Sequence, residues 1–413
     1  MKILLIHQYY LEKSDSGGSR WNEMSRMWAE QGHEITVLGG MVHYASGKKN
    51  EKYKGKYFFD EKNFEPNIRV IRSHVSEAYN VNFLGRLWAY FSFVFSSTWA
   101  GTFYAKDKYD IIIVTSPPLF VGITAYILSK IKRIPFVFEI RDLWPESAID
   151  TGVVTNGFII KMAYAFEAFI YKKAKLINVL TPAFRTTLIE KKKVNPDKII
   201  FIPNAADFSL SQELLANFDA KLYRAEKNIG EDKFVITYVG AHGVANHLIH
   251  AIETAELLKD TSVLFLMIGE GMQKAWLKEE VAKRQLTNIQ FIDAVPKKEV
   301  FKYILASDMG TSILKKVDTF KTVYSNKTFD YMSCKKPILM AIDGVSRELV
   351  EEANGGIYVE PENAQDFADK IKIYLNNRDL LKQQGESGYQ FALNHFDRTH
   401  LANKYLEEIK KII

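Results

Sequence analysis

The chain has 413 residues, which is more than one ordinary hydrophobic core holds, so two domains are predicted. Hydrophobic residues make up 47% of the sequence, as in folded globular proteins, and the single cysteine excludes both a disulfide framework and a zinc site built from cysteines. The net charge is +6, and residues 1–204 hold 28 Lys and Arg against 19 Asp and Glu. This basic first half indicates either an anionic partner, such as a phosphate or an anionic lipid, or simply a solvated basic face.

Short apolar runs alternate with helical patterns along the whole chain. Most of them are apolar at nearly every position, as in parallel strands covered on both faces. The alternation therefore predicts an α/β protein with two doubly wound domains. The runs are Lys2–His7, Ile35–Leu38, Ile68–Val75, Tyr109–Thr115, Ile134–Ile140, Lys175–Leu180, Ile199–Ile202, Phe234–Gly240, Val263–Gly269 and Ile289–Val295, followed by DMGTSIL, KPILMAI and GIYVE.

The boundary between the domains is predicted at Ile202–Asp207, before a polar stretch. This gives an N-terminal domain of residues 1–204 and a C-terminal domain of residues 205–394, and we expect the last helix, within 395–413, to join the first domain. Two such domains facing each other leave a cleft at the carboxyl ends of both sheets, where open α/β sheets bind ligands.

Membrane contact is the first functional question. No run of 18 or more apolar residues occurs, so no transmembrane helix is expected, and the opening run predicts a strand rather than a signal peptide. We therefore expect a cytoplasmic protein. The aromatic-rich stretch Leu84–Gly101 predicts either a segment lying at the inner face of the plasma membrane or a helix buried against the sheet.

Gly17 and Gly18 follow the first predicted strand. The G-x-G-x-x-G spacing of a dinucleotide site is absent, which argues against nicotinamide binding. Two residues without Cβ at the start of a helix suit a phosphate or a sugar hydroxyl approaching free N–H groups. The alternative is a flexible turn.

The segment Glu139–Ser147 (EIRDLWPES) crowds charge at the end of a predicted strand. We predict that Arg141 holds an anion, and that Asp142 or Glu139 accepts hydrogen bonds from sugar hydroxyls or acts as a base. A structural Arg–Asp pair that caps the strand is the alternative.

Two glycine-rich turns follow strands in the second half. Gly240, His242 and Gly243 lie in the first, and Gly269 and Gly271 in the second. Together they predict the mouth of a nucleotide site, and tight turns without a ligand are the alternative.

The stretch Tyr324–Leu339 carries the strongest signal. Ser325 or Asn326 can begin a helix whose N–H groups face a phosphate. A lysine in the first turn, Lys327, opposes the helix dipole unless a phosphate neutralises it. Asp330 lies three residues on, on the same face, where it can bind the two ribose hydroxyls. An ordinary ion pair between the two side chains is the alternative.

Several motifs are absent. The chain contains no Asp-x-Asp pair, no H-E-x-x-H and no G-x-x-x-x-G-K-[ST], so we expect no metal, no cofactor and no NTPase activity. Nucleic acid is not an expected partner, because the basic residues are scattered and no recognition motif occurs.

These motifs resemble the retaining glycosyltransferases of family four, which have the GT-B fold of two facing Rossmann-like domains. The resemblance covers essentially the whole chain. The DLWPE stretch makes it similar to the N-acetyl-L-fucosaminyl transferases of O-antigen and capsule synthesis. The resembling segments are Gly17–Gly18, IPNAAD, YVGAHG, MIGEG, FIDAVPKKEVFKYILASDMG and SNKTFDYMSCKKP.

The resemblance implies the site and the reaction. Asp330 matches the ribose-binding glutamate, Lys327 and Asn326 meet the diphosphate, Gly17 and Gly18 lie near the donor phosphate and the acceptor, and Val295 holds the base through its backbone. The implied reaction is metal-independent hexosyl transfer with retention. It moves a sugar from a nucleoside diphosphate sugar, here a UDP-activated N-acetylated sugar, to a polyprenyl-diphosphate-linked saccharide.

The chain also departs from the family pattern. The first glutamate of the family's E-x7-E pair falls on Thr322, and the usual Arg and Lys of the second domain fall on Ala241 and Asn246. Lys327 and Arg141 are the candidates to replace that charge. The family's N-domain histidine has no counterpart in EIRDLWP. Two alternatives stay open, a nucleotide-sugar epimerase of the same architecture and a non-catalytic nucleotide-sugar-binding protein.

Overall fold

The computed structural model describes residues 1–13, 20–43, 47–80, 83–150 and 154–413. The chain divides into two compact units, unit 1 (Met1–Pro203 with Thr399–Ile413) and unit 2 (Asn204–Arg398). Unit 1 thus ends one residue before the predicted boundary, and the chain returns to it four residues after the predicted position 395.

Unit 1 is built on an eight-stranded sheet of order β3-β4-β2-β1-β5-β6-β7-β8. All neighbouring pairs are parallel except β3 with β4 at one edge. The apolar runs do not reveal β3, because four of its eight residues are charged and only Phe64 is buried. The strands are β1 (Lys2–His7), β2 (Glu34–Gly40), β3 (Phe58–Glu65), β4 (Ile68–Ser73), β5 (Ile111–Ser116), β6 (Phe136–Ile140), β7 (Leu176–Val179) and β8 (Ile199–Phe201).

Helices cover both faces of this sheet. Right-handed connections run in opposite directions on the two sides of β1, which places α1 on one face and α2, α3 and α5 on the other. The helices are α1 (Arg20–Glu30), α2 (Phe83–Phe103), α3 (Val121–Lys132), α4 (Glu146–Asp150), α5 (Gly157–Lys173) and α6 (Pro182–Thr186).

Unit 2 has a six-stranded, wholly parallel sheet of order β11-β10-β9-β12-β13-β14. Its strands are β9 (Phe234–Val239), β10 (Val263–Ile268), β11 (Ile289–Ile292), β12 (Met309–Ile313), β13 (Ile338–Ala341) and β14 (Gly356–Tyr358). Its helices are α7 (Phe208–Leu215), α8 (Ala220–Glu226), α9 (Ile249–Leu257), α10 (Lys274–Lys283), α11 (Lys297–Ala306), α12 (Asn326–Ser333), α13 (Val345–Glu352), α14 (Ala364–Asn376) and α15 (Arg378–His395).

The last helix, α16 (Arg398–Lys410), packs its apolar face on unit 1. The indole of Trp28 donates a hydrogen bond of 3.0 Å to the carbonyl of Ala402. The ring of Tyr405 lies 5.8 Å from the rings of both Trp21 and Trp28. These aromatic contacts explain why the end of the chain belongs to unit 1.

Strand order also fixes where each sheet opens. In unit 2 the strand order reverses between β9 and β12, which pair only at Ile236 with Met309 and at Thr237 with Gly310. The carboxyl ends of the two strands therefore separate. Ligands of doubly wound sheets bind at such a switch point.

Candidate functional site

Tyr331 of α12 separates the two strands at the switch point of unit 2. Its buried hydroxyl lies 3.0 Å from the carbonyl oxygen of Thr237 and 3.2 Å from that of Thr311, and it accepts the N–H of Val239 at 3.1 Å. A Cβ on Gly310 would lie 2.3 Å from the Tyr331 ring, so only glycine fits beneath it. The tyrosine thereby fixes α12 to β9 and β12 at the opening between them.

The glycine turns after β9 and β10 pack backbone against backbone. Gly240 and Gly269 have φ angles of 149° and 145°, which L-residues rarely adopt, and a Cβ on Gly269 would lie 1.9 Å from the carbonyl oxygen of Gly240. A Cβ on Gly271 would lie 2.4 Å from the carbonyl oxygen of His242, whereas Gly243 has no atom closer than 3.5 Å. Backbone atoms of the first turn fill the space that side chains at Gly269 and Gly271 would need, so these two glycines allow the turns to pack together.

Helix α12 begins with unused donors. The N–H groups of Asn326 and Lys327 bond to no residue that the structure describes, as is usual in a first helical turn. Ser325 is buried, and its hydroxyl bonds to Ser312 Oγ at 3.2 Å instead of capping the helix. Asn326 is exposed and accepts a 2.6 Å bond from the side chain of Asn204. The free amides suit an anion.

Lys327 lies beside the first glycine turn. Its ammonium is 4.7 Å from the centre of the Tyr238 ring, and a Cβ on Gly240 would lie 3.2 Å from Lys327 Cε. The ammonium forms no hydrogen bond or ion pair within the described part of the chain. Burial lowers the pKa of Lys327 to about 8, against a smaller opposing effect of the nearby Asp330 carboxylate. Such a desolvated cation gains most from a bound anion.

Asp330 and Val295 are the residues predicted to contact the ribose and the base. Asp330 is half-buried one turn beyond Lys327. Val295 follows β11, its side chain packs against a small core cluster, and its own N–H and C=O bond to no described residue. Both positions are compatible with their predicted roles at the ribose and the base, which stay predictions.

His242, which is predicted as part of the turn at the mouth of a nucleotide site, has a buried side chain. Its imidazole is fully buried, 5.8 Å from the Phe291 ring, and neither ring nitrogen bonds to any residue in the described ranges. Burial, with Lys274 nearby, lowers the pKa of His242 to about 4, so the ring is neutral. The backbone N–H of His242 donates a 2.8 Å hydrogen bond to the carbonyl of Glu270 and so joins the two glycine turns.

Lys274 is a residue that the sequence analysis missed. Its buried ammonium contacts the carbonyl of Gly269 at 2.9 Å, Glu270 at 2.7 Å and Asp293 at 2.5 Å. It thus fixes the turns after β10 and β11. A lysine at the start of a helix carries no sequence signal for this role, because its partners Gly269 and Asp293 lie on other segments.

In unit 1, Glu139 is buried among protein partners and does not fit its predicted contact with a sugar. The carboxylate is 0% exposed and forms an ion pair with Arg20 at 3.1 Å. It also accepts bonds from Trp21 at 2.9 Å, Thr115 at 3.2 Å and Asn178 at 2.9 Å. Since Arg20 also bonds to the carbonyls of Ile202 and Pro203, the carboxylate joins β6 to α1 and to the end of unit 1.

Arg141 and Asp142 follow β6 but do not pair with each other. The guanidinium of Arg141 forms no hydrogen bond or ion pair with the residues described, and burial lowers its pKa despite the attraction of Glu139. Arg141 also helps to lower the pKa of His7, which is buried at the end of β1. Asp142 accepts hydrogen bonds from Ser147 and from the Leu143 N–H, while burial raises its pKa. Arg141 is therefore available to an anion, whereas Asp142 orders its own loop.

The remaining predicted residues, Gly17 and Gly18, lie outside the described residues. Unit 1 contains a cavity of about 280 Å³ at the carboxyl ends of β1 and β2. Tyr10, Asn50 and Tyr53 line it, and at its base Arg72 pairs with Glu12 at 3.2 Å. Aromatic and polar groups of this kind suit a saccharide.

Two further observations bear on ligands. Among the residues described, no group of three or more His, Cys, Asp and Glu side chains could hold a metal ion. None of the helices in those same ranges combines the length and apolar character needed to cross a membrane.

Both halves of the chain match known families. Residues 17–205 match the family described as "Glycosyl transferase 4-like domain", and residues 219–391 match the family described as "Glycosyl transferases group 1".

The chain is also similar to named proteins. A putative colanic acid biosynthesis glycosyl transferase, WcaI, from Escherichia coli strain K12 is 24% identical over 421 residues, which cover 99% of this chain and 100% of the relative. An uncharacterized glycosyltransferase from Methanocaldococcus jannaschii is 26% identical over 312 residues, covering 70% and 82%.

Solved structures of similar fold include sucrose-phosphate synthase from Thermosynechococcus elongatus, with a TM-score of 0.74, 16% identity and coverage of 99% of this chain and 98% of the other. The Anabaena protein HepE in complex with UDP-glucose has a TM-score of 0.72 at 16% identity, and each chain is covered completely.

Proposed function

We infer the function of this chain from its two domains, a glycosyl transferase 4-like domain followed by a glycosyl transferases group 1 domain, and from its GT-B fold. From this premise we propose that it transfers a hexosyl residue from a nucleoside diphosphate sugar to a lipid-linked saccharide, with retention at the anomeric carbon. We place it in the synthesis of a surface polysaccharide, such as an O-antigen or a capsule. The name of the Escherichia coli relative supports this assignment.

One observation carries the proposal. The ammonium of Lys327 forms no ion pair within the described residues. The backbone N–H groups of Asn326 and Lys327, which bond to no described residue, begin the same helix at the switch point of unit 2. A diphosphate meets there the charge and the hydrogen-bond donors that it needs. Because Gly240 has no side chain, Lys327 fits beside the first glycine turn.

The proposed donor contacts follow from that position. Asp330 binds the ribose hydroxyls, and the backbone of Val295 bonds to the base. The donor is a UDP-activated N-acetylated sugar. Two similarities support this choice: the Anabaena protein in complex with UDP-glucose, and a poly(ribitol-phosphate) α-N-acetylglucosaminyltransferase from Staphylococcus aureus that is 23% identical over 254 residues.

The proposed step is a substitution on one face of the sugar. The bond between the anomeric carbon and the diphosphate oxygen breaks, the acceptor oxygen forms its bond on the same face, and the acceptor proton passes to the leaving phosphate oxygen. Negative charge grows on the diphosphate in the transition state, so Lys327 and the helix amides act where preorganised donors help most. Arg141 is the further candidate cation from unit 1. The reaction is proposed to need no metal.

Transfer assays test the proposal. The protein is incubated with a panel of nucleotide sugars, with and without a polyprenyl-diphosphate-linked saccharide, and the product's anomeric configuration is read by NMR. We expect acceptor-dependent product with retained configuration and no loss of rate in EDTA. Conversion of the sugar without acceptor would instead identify an epimerase, and binding without turnover would identify a binding protein.

Two variants complete the test. Asp330→Ala should weaken UDP binding strongly, measured by calorimetry. The control Lys278→Ala removes an exposed residue of α10 and should leave binding unchanged. Unchanged affinity in Asp330→Ala would remove the ribose assignment while leaving the transfer reaction to be judged by the assay above.

A further inference from the structure

The outer face of α2 is apolar along its whole length. Leu84, Trp88, Phe95, Trp99 and Phe103 recur at helical spacing and expose between 50% and 71% of their surfaces. The opposite face of the helix is buried against the sheet through residues such as Ala89, Phe93 and Ala100. Residues 83–103 contain one charged side chain, Arg86. A surface helix of a soluble domain normally has a polar outer face, so the apolar outer face of α2 indicates an interaction surface.

Helix α5 also exposes large apolar side chains. Phe158 and Met162 are one turn apart and expose 71% and 58% of their surfaces, and Phe169 is also exposed. Between the two helices, the ring of Phe120 lies 4.8 Å from Phe91 of α2 and 5.8 Å from Phe166 of α5. The two exposed rows therefore flank one continuous aromatic layer. We call Leu84, Trp88, Phe95, Trp99, Phe158 and Met162 the apolar face.

The exposed charges of α2, α3 and α5 themselves are all positive. The single acidic residue within α2, α3 and α5 is Glu167, which is buried and pairs with Lys192 at 2.5 Å. Exposed lysines stand at the carboxyl ends of α3 and α5, namely Lys130, Lys172 and Lys173. Right-handed connections make these helices parallel, so these three lysines lie at one edge of the apolar face, whereas the exposed Lys161 lies near the amino end of α5.

We propose that the apolar face docks unit 1 onto the surface of an anionic lipid bilayer. Aromatic and aliphatic side chains enter the headgroup region, as in interfacial amphipathic helices, and the lysines meet anionic headgroups. A second copy of the chain fits less well, because the face offers no exposed carboxylate to the lysines of a partner. This inference goes beyond the proposed sugar transfer and is measured without any substrate.

Vesicle binding tests the proposal with the full chain. Flotation is measured with vesicles of phosphatidylcholine alone and with vesicles containing about a third phosphatidylglycerol. We expect binding to the anionic vesicles that weakens as salt rises. Trp88→Ser/Trp99→Ser should lower the partition coefficient at least tenfold. Its matched control, Leu222→Ser/Trp276→Ser, removes exposed apolar residues of unit 2 and should bind as wild type does.

The electrostatic part has its own pair of variants. Lys130→Ala/Lys173→Ala should lower binding to anionic vesicles about 30-fold, since each of the two lysines near such a surface contributes about 1 kcal/mol. The control Lys259→Ala/Lys278→Ala removes two exposed lysines of unit 2 and should have no effect.

Orientation gives a further readout. Trp88→Phe/Trp99→Phe keeps the apolar area, so it should still bind, while quenching of tryptophan fluorescence by brominated lipid should fall. Absent binding to anionic vesicles, or equal binding of the wild type and Trp88→Ser/Trp99→Ser, would overturn the proposal. So would a self-association that this serine variant abolishes, because that result would assign the face to a second copy.

Discussion

The ammonium group of Lys327 lies 4.7 Å from the centre of the Tyr238 ring. Tyr238 is a fully buried residue of β9, and Lys327 belongs to the first turn of α12, so the contact joins the two elements that border the switch point. The ring face attracts the cation but offers it no hydrogen bond. The charge is thus held in place while its donors stay available to a phosphate.

The lowered pKa of Lys327 predicts a pH dependence of nucleotide binding. Its pKa is about 8 in the free protein, so the cationic form that attracts a diphosphate is lost as the pH rises through 8. UDP affinity, measured by calorimetry from pH 6.5 to 9.5, should fall across that range. Lys327→Arg keeps its charge throughout, so its affinity should not change with pH in this window. The same fall in both proteins would place the titration on another group.

The hydroxyl of Tyr331 should contribute measurably to stability. Tyr331→Phe leaves the buried N–H of Val239 and the carbonyls of Thr237 and Thr311 without this partner, which predicts a loss of about 1–3 kcal/mol. Urea denaturation measures it. The control is Tyr405→Phe, because the buried Tyr405 hydroxyl has no hydrogen-bond partner among the residues described and its removal should cost nothing. Equal losses in the two variants would contradict this account.

Gly269 is predicted to tolerate no side chain. Gly269→Ala combines a φ of 145° with a Cβ 1.9 Å from the carbonyl oxygen of Gly240. We expect a loss of at least about 2 kcal/mol of stability together with weaker UDP binding, because the turn after β9 must move. Gly157→Ala is the control, since nothing lies within 4 Å of the added Cβ. A Gly269→Ala protein with wild-type stability and UDP affinity would refute the close packing of the turns.

Glu139 should behave as a structural group. Glu139→Gln leaves the buried Arg20 guanidinium without its counterion, and we expect a loss of about 3 kcal/mol in urea denaturation. Asp142→Asn should cost much less, because an amide oxygen can still accept from Ser147 and Leu143. Full stability with abolished turnover in Glu139→Gln would instead restore the predicted role at the sugar.

The alternation of apolar runs with helical patterns, and the motifs at the strand ends, were enough to predict the fold class. The runs at Lys2–His7, Phe234–Gly240 and Val263–Gly269 coincide with β1, β9 and β10 to within a residue, because a strand covered on both faces must be apolar throughout. The edge strand β3 was not predicted, because a strand at the edge of a sheet needs few buried apolar residues. A helix beginning at Ser325 or Asn326 was also predicted, and α12 begins at Asn326, although the Ser325 side chain does not cap it.

What the sequence by itself determined was therefore local: which segments are strands or helices, and which residues follow a strand. The tertiary structure alone decided what each of those residues meets. Glu139 follows a strand, as a ligand-binding carboxylate would, yet its carboxylate pairs with Arg20, 119 residues away. The side chain of His242 packs against Phe291 in the interior. Lys327, by contrast, stays available to an anion. Burial and partners depend on strand order and on which helices cross the sheet, and neither is encoded in the spacing of neighbouring residues.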